Sequence, residues 1–173
     1  MDNKRKYIIA SIIPVIILLG MCIMPVATLL LGQEILLKTV PYDPRDLLRG
    51  DHIILNYQIS DIPVSLFPSE FREVEKYSLG AKDVYVVLKK TGNYYDLDSV
   101  KLMKPETGLY LKGKIQYSSN NQAGQEVARI DYSLDKFFVP ENTGMELEEK
   151  SRKGELTARV KVLNGYAYLI NVE

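Results

Sequence analysis

No charged side chain interrupts the chain between Lys6 and Glu34. The residues from Tyr7 to Gln33 are nearly all Ile, Leu, Val, Met, Ala, Gly or Pro, and as a helix they would reach roughly 40 Å at about 1.5 Å per residue. A bilayer core needs about 20 such residues. The pattern predicts one transmembrane helix whose partner is the lipid bilayer, through residues 7–33. Pro14 and Pro25 are tolerable in such a helix when freed backbone groups find partners. Lys4, Arg5 and Lys6 precede the span and Gln33-Glu34 follow it, so the positive-inside rule places the N-terminus in the cytoplasm and residues 34–173 outside. A cleaved signal peptide would carry a shorter apolar core, about 7–15 residues. Pro25 lies two positions before Ala27, and Met21 precedes Cys22, so neither an ordinary nor a lipoprotein cleavage site is well formed. The expected state is an uncleaved signal-anchor in the cell membrane, with residues 1–33 as basic stub and anchor.

Beyond the span the period changes from continuous to alternating. In His52–Ile59 the side chains Ile53, Leu55, Tyr57 and Ile59 share one face, and His52, Ile54, Asn56 and Gln58 the other. Strands are predicted over 83–90, about 97–103, and 127–132. A further strand carries Leu109, Leu111, Gly113, Ile115 and Tyr117 on one face. Near the C-terminus Leu156, Ala158, Val160 and Val162 alternate up to Asn164-Gly165, and Tyr166, Tyr168, Ile170 and Val172 alternate after it. Asn-Gly at two-residue spacing supplies the positive φ angles of a type I′ hairpin turn. Helical signals are short: Ser69 before about 70–77, and Thr143 with Glu146 in capping-box spacing, stopped by Gly154. The predicted fold is mainly β. A transmembrane α-helix precedes a single antiparallel β-barrel-like domain, residues 34–173, with two or three short helices and protected edges.

Composition narrows the chemistry. The chain has 22 basic and 22 acidic residues, which is not the basic excess of a nucleic-acid binder. Its single cysteine excludes an internal disulfide or a cysteine metal cluster, and its single histidine excludes a two-histidine zinc site. No cofactor or metal is expected. Cys22 lies inside the span, which removes sortase-like chemistry. All tyrosines but Tyr7 belong to the outer domain, where an amphipathic ring suits a half-buried strand.

The densest cluster of unusual residues is PYDPRDLLRGDHIILNY, residues 41–57. Asp43 can cap a helical turn with Pro44 at its first position, where a missing N–H costs nothing. Asp46 then lies near the positive end of that turn. Gly50 can take the left-handed conformation that ends it, with positive φ expected. Asp51 opens the strand. The turn thus gathers Arg45, Asp46, Arg49 and Asp51.

GDHIILNY resembles the signature of the GDYxxLxY proteins, with Leu55 and Tyr57 at the final signature positions and His52 where that family has tyrosine. FFVPENTGMELEE, residues 137–149, is similar to a second segment of the family, with Pro140-Glu141 followed by Glu148. The resemblance covers about 140 residues. It implies a membrane-anchored bacterial or archaeal protein that acts as an accessory beside a multi-spanning membrane protein, and it singles out the two segments as parts that matter together. His52 keeps an amphipathic ring at its position and adds a group that ordinarily titrates near pH 6.5.

These readings make the chain an extracytoplasmic accessory or interaction protein rather than an enzyme. The alternative is a cell-envelope hydrolase. A distantly signal-peptidase-like enzyme needs a serine upstream of the Gly50-Asp51 strand, but no serine occurs between Ser11 and Ser60. A carboxylate-based hydrolase would draw on Asp46, Asp51, Glu141 and Glu148, which must then lie roughly 5–10 Å apart in a cleft. As a structural arrangement, Arg45 or Arg49 is expected to form a bidentate pair with Glu141 or Glu148.

Overall fold

The computed structural model describes residues 3–40, 52–69, 82–121, 124–138, 149–150 and 156–173. The apolar N-terminal run forms helix α1, Asn3–Leu31, which continues through both Pro14 and Pro25. Its stretch Ala10–Leu31 is long and apolar enough to cross a membrane or to serve as a signal sequence. Only Gly32 separates it from the first strand, β1, Gln33–Val40.

Short strands follow: β2 (His52–Ile54), β3 (Asn56–Tyr57) and β4 (Asp61–Pro63), then a 3-10 turn at Val64–Leu66. The longer strands are β5 (Asp83–Thr91), β6 (Tyr94–Lys101), β7 (Leu109–Asn120) and β8 (Glu126–Asp131). The chain ends with β9 (Lys136–Phe138), β10 (Thr157–Leu163) and β11 (Tyr166–Val172). All pair antiparallel. They build a four-stranded sheet in the order β11-β10-β1-β3, a five-stranded sheet in the order β4-β8-β7-β5-β6, and a β2-β9 ribbon. The domain is therefore two curled half-barrel sheets facing each other, not the single barrel that the alternation predicted.

The curl comes from three bulges. Asp98 in β6, Gln116 in β7 and Ile170 in β11 each have no partner opposite them. A bulge bends its strand and tightens the local twist. It also reverses the side-chain phase, which overturns two sequence expectations. Tyr117 leaves the face of Leu111, Gly113 and Ile115 and is exposed, because Gln116 intervenes. Ala167 and Leu169, not Tyr166 and Tyr168, pack toward the core, and Val172 rejoins it only after Ile170. The inner face of the first sheet supplies Ile35, Leu37, Ala158, Val160 and Val162 to one continuous core. The second sheet supplies Val84, Val86, Leu88, Leu111 and Ile130. Gly113 lets the sheet close tightly, since a Cβ there would stand 2.5 Å from Ile130 Cγ2.

The two sheets meet along two seams. On one, Gln33 Nε2 of β1 donates to the Tyr95 hydroxyl of β6 at 2.9 Å, and the Lys38 ammonium lies over the Tyr94 ring. On the other, the hairpin tip between β10 and β11 docks against β7, where Lys112 N–H donates to Gly165 O at 2.8 Å. Asn164 and Gly165 both have positive φ (52° and 82°), as the Asn-Gly turn predicted. Arg159 ties three strands together through Glu34 at 2.7 Å and Glu173 at 2.6 Å, and these carboxylates hold its guanidinium above its ordinary pKa.

The complete helical elements among the described residues are α1 and the 3-10 turn. The short helices expected over about 70–77 and between Thr143 and Gly154 fall largely outside the described residues.

Candidate functional site

The signature run does not form one strand. Its backbone ladder changes partner at Leu55. Residues His52–Ile54 pair with Phe138–Lys136 of β9, whereas Asn56 and Tyr57 pair with Val40 and Thr39 of β1. Between the two ladders Leu55 N–H donates to Asp135 O at 2.8 Å. The run is thus a crossing segment that belongs to the ribbon at one end and to the first sheet at the other. The predicted side-chain phase nevertheless holds: Leu55, Tyr57 and Ile59 are buried, Ile54 and Asn56 are half-buried, and Gln58 is exposed.

After Tyr57 the chain turns through Gln58–Ser60 and enters β4, so it passes from the first sheet to the second within four residues. A buried turn leaves peptide groups out of the ladders, and these require partners. Two tyrosines cross-link this turn and the segment after Tyr132. Tyr57 donates its hydroxyl to Leu134 O at 2.7 Å, and Tyr132 donates its hydroxyl to Ile59 O at 2.7 Å. Ile130 N–H also donates to Ser60 O at 2.8 Å. Burial pushes both tyrosine pKa values far above the usual range, and the Asp135 carboxylate adds to the effect at Tyr57. Both hydroxyls therefore stay protonated and serve as donors.

Beside this corner lies a cavity of about 150 Å³, lined by residues 54–57 and by Gln116, Arg129, Asp131 and Asp135 among others. Drug-sized ligands usually occupy about 300–1,000 Å³, so the volume suits ordered water or a small polar guest. Several polar groups around it bond across strands. Arg129 donates to Asp61 Oδ2 at 2.8 Å and also to Asn56 Oδ1 of the signature. Asp131 accepts from Ser133 N–H at 2.6 Å and from Gln116 Nε2 at 3.2 Å. The first of these bonds is an Asx-type turn that holds Ser133 at φ 57°. The arrangement joins strands by charge-assisted hydrogen bonds. Among the described residues no group of three His, Cys, Asp or Glu side chains could hold a metal ion.

Of the sequence-selected site residues, the structure brings Leu55 and Tyr57 into this corner and pairs the His52 backbone with Phe138. Asp43, Arg45, Asp46, Arg49, Gly50, Asp51, Pro140, Glu141 and Glu148 lie outside the described residues, and so does the expected left-handed Gly50. What the described residues do show is that the two motif segments are neighbours. His52 pairs with Phe138, and the charged parts of the two motifs adjoin this pair in sequence, before His52 in one and after Phe138 in the other. Arg129, Asp131 and Tyr132 were not singled out by the sequence. A lone arginine amid the apolar strand Val127–Tyr132 was the available signal, because such a charge needs an acidic partner.

An apolar N-terminal helix followed by curled antiparallel sheets, with the signature's Leu55 and Tyr57 at their corner, defines the class of protein. The chain belongs to the GDYXXLXY family, described as GDYXXLXY protein, whose pattern it matches over residues 14–172. Neither a curated protein nor a solved structure matches it.

The corner generates a prediction. Tyr57→Phe and Tyr132→Phe each remove a buried donor and leave a carbonyl unpaired, and each is expected to cost about 1–2 kcal/mol in urea melts at neutral pH. Because both folded pKa values are raised, the stabilisation is intact below the ordinary tyrosine pKa of about 10 and declines as pH rises through it toward the folded values. The double phenylalanine variant should lose less stability than the wild type between neutral pH and pH of about 11. Equal losses would remove the tyrosines from this role.

Proposed function

We propose that the protein is a membrane-anchored extracytoplasmic accessory protein without enzymatic activity, acting with a multi-spanning membrane partner. In this reading residues 1–33 form the basic stub and uncleaved anchor, and residues 34–173 form the domain outside the cytoplasm. The observation that carries it is the rigid joint between span and domain. Gly32 is the whole connection, and the last turns of α1 pack on β10 and β11, with Thr28 fully buried. Lys161 Nζ donates to Leu29 O at 2.5 Å, and Lys161 Cβ and Val162 N lie 3.2 Å from where a Cβ on Gly32 would stand. A domain held this way presents one fixed face to whatever lies beside the span. Burial of Thr28 and the bond from Lys161 to Leu29 O also support retention of the segment, since cleavage after Ala27 would loosen the joint. The pairing of Arg129 with Asp61 and with Asn56 of the signature, and the bonds of the two tyrosines to backbone carbonyls, support a structural use of the signature.

The same reading keeps the charged motifs as a clasp at the end of the β2-β9 ribbon. Arg45 or Arg49 pairs with Glu141 or Glu148, and this end of the domain faces the partner. The antiparallel pairing of His52 with Phe138 supports it by bringing the two segments together.

Full-length protein extracted from its own membrane in a mild detergent is expected to bring down one multi-spanning membrane protein in near-stoichiometric amount. Recovery of the chain alone would overturn the accessory reading. A reporter fused after Glu173 is expected to be active only outside the cytoplasm; activity inside would reverse the topology, and a mature chain beginning near residue 28 would overturn the anchor. For the clasp, a double-mutant cycle on Arg45→Ala and Glu141→Ala should give a coupling of about 1 kcal/mol or more, as directly interacting residues do. A coupling near zero there, and in the parallel cycle on Arg49 and Glu148, would reduce the four residues to solvated charges.

A further inference from the structure

The uncharged stretch from Tyr7 to Leu31 is about 37 Å long as a helix, roughly 7 Å more than a bilayer's hydrocarbon core. The exposure of α1 changes along its length. Residues 10–24 are exposed throughout, whereas Pro25 and Ala27 are half-buried and Thr28 is fully buried. The covering element is the β10–β11 hairpin. Its tip, Asn164 to Ala167, shares with Met24 a cleft of about 490 Å³ that also includes Lys112, Lys114, Asp83 and Asp131 and is thus balanced in charge, as a zwitterionic headgroup is. Met24 precedes Leu31 by about 10 Å of helix, so the tip reaches back along the span toward the membrane. β10 runs in the direction this requires, since Val162 pairs with Gln33 at the very start of β1.

The side chains on this tip have interfacial chemistry. Tyr166 and Tyr168 point outward from β11, each about 39% exposed. Tyrosine favours the headgroup level, where its ring meets acyl chains and its hydroxyl meets water. Lys112 is neutralised by Asp83 at 2.6 Å, but Lys114 has no ion-pair partner among the described residues. Its flexible stem can carry the ammonium to a phosphate.

We propose that the β10–β11 hairpin tip is a second membrane contact. Tyr166 and Tyr168 lie in the headgroup layer of the leaflet from which α1 emerges, and a phospholipid headgroup occupies the cleft between Met24, Lys114 and Tyr166. The excess length of the span is taken up on this side, beneath the hairpin. This rests on the reading of α1 as a membrane span.

The chain contains no tryptophan, so single substitutions report depth without background. The full chain is reconstituted in vesicles of phosphatidylcholine and phosphatidylglycerol carrying brominated acyl chains. Four variants are compared: Leu18→Trp in the span, Tyr166→Trp and Tyr168→Trp at the tip, and Asn171→Trp about 16 Å further along the same strand. Strong quenching is expected at Leu18→Trp. Quenching at positions 166 and 168 should exceed that at 171 several-fold, with blue-shifted emission. If position 18 is quenched but 166 and 168 behave like 171, the hairpin contact is wrong while the span stands. Equal strong quenching at 166, 168 and 171 would mean a domain lying flat, which also overturns the proposal. No quenching at position 18 would overturn the span itself and the contact with it.

Discussion

Everything in this domain depends on how the chain turns the corner between its two sheets. Tyr57 closes the first sheet and Asp61 opens the second, and the peptide groups between them are buried beside the core. Unpaired, each would cost a large part of the marginal stability of a domain this size. Within the turn, Tyr132 bonds Ile59 O and Ile130 N–H bonds Ser60 O, while Tyr57 returns a bond to Leu134 O in the segment after Tyr132. They also fix where β8 ends and where the segment toward β9 begins. The signature tyrosine thus has a physical reason: phenylalanine would fill the space but not the carbonyl, and a shorter donor would not reach it.

Much of the fold was legible because it is local. Alternation grouped Leu156, Ala158, Val160 and Val162 of β10 and the run Leu55–Ile59 correctly, located β5 as a strand, and Asn164-Gly165 announced its own turn. What alternation could not show was register across strands. Gln116, Asp98 and Ile170 are ordinary residues in ordinary positions, and only the partner strand makes each of them a bulge. That is why Tyr117 was grouped with Ile115, and Tyr166 and Tyr168 with Val172, although a bulge separates each group, and why the barrel-like domain is built as two curled sheets. The change of partner at Leu55 was hidden for the same reason. Within the site, the family signature pointed to Leu55 and Tyr57. Arg129 and Tyr132 bond to the adjoining Asn56 and Ile59 from seventy-odd residues away in sequence, and only the folded chain brings them there.

The signature residues divide their work by side-chain chemistry. Leu55 and Tyr57 face the core, while Asn56, between them, turns toward Arg129. A single crossing segment therefore joins apolar packing on one side to a charge network on the other. The network includes Asp61 of the second sheet, so both sheets are held at the same place by two independent kinds of force.

The joint at Gly32 makes the molecule a lever. Helices adapt to bilayers of different thickness by tilting, and here no slack separates helix from sheet. With Lys161 gripping the end of α1, the domain must follow the helix as one body. A change in tilt of about 10° would swing the far end of β1, roughly 26 Å away at 3.3 Å per residue, through about 4–5 Å. With α1 as the membrane anchor proposed above, a protein built this way would convert the thickness of the surrounding bilayer into the position of a surface well above it.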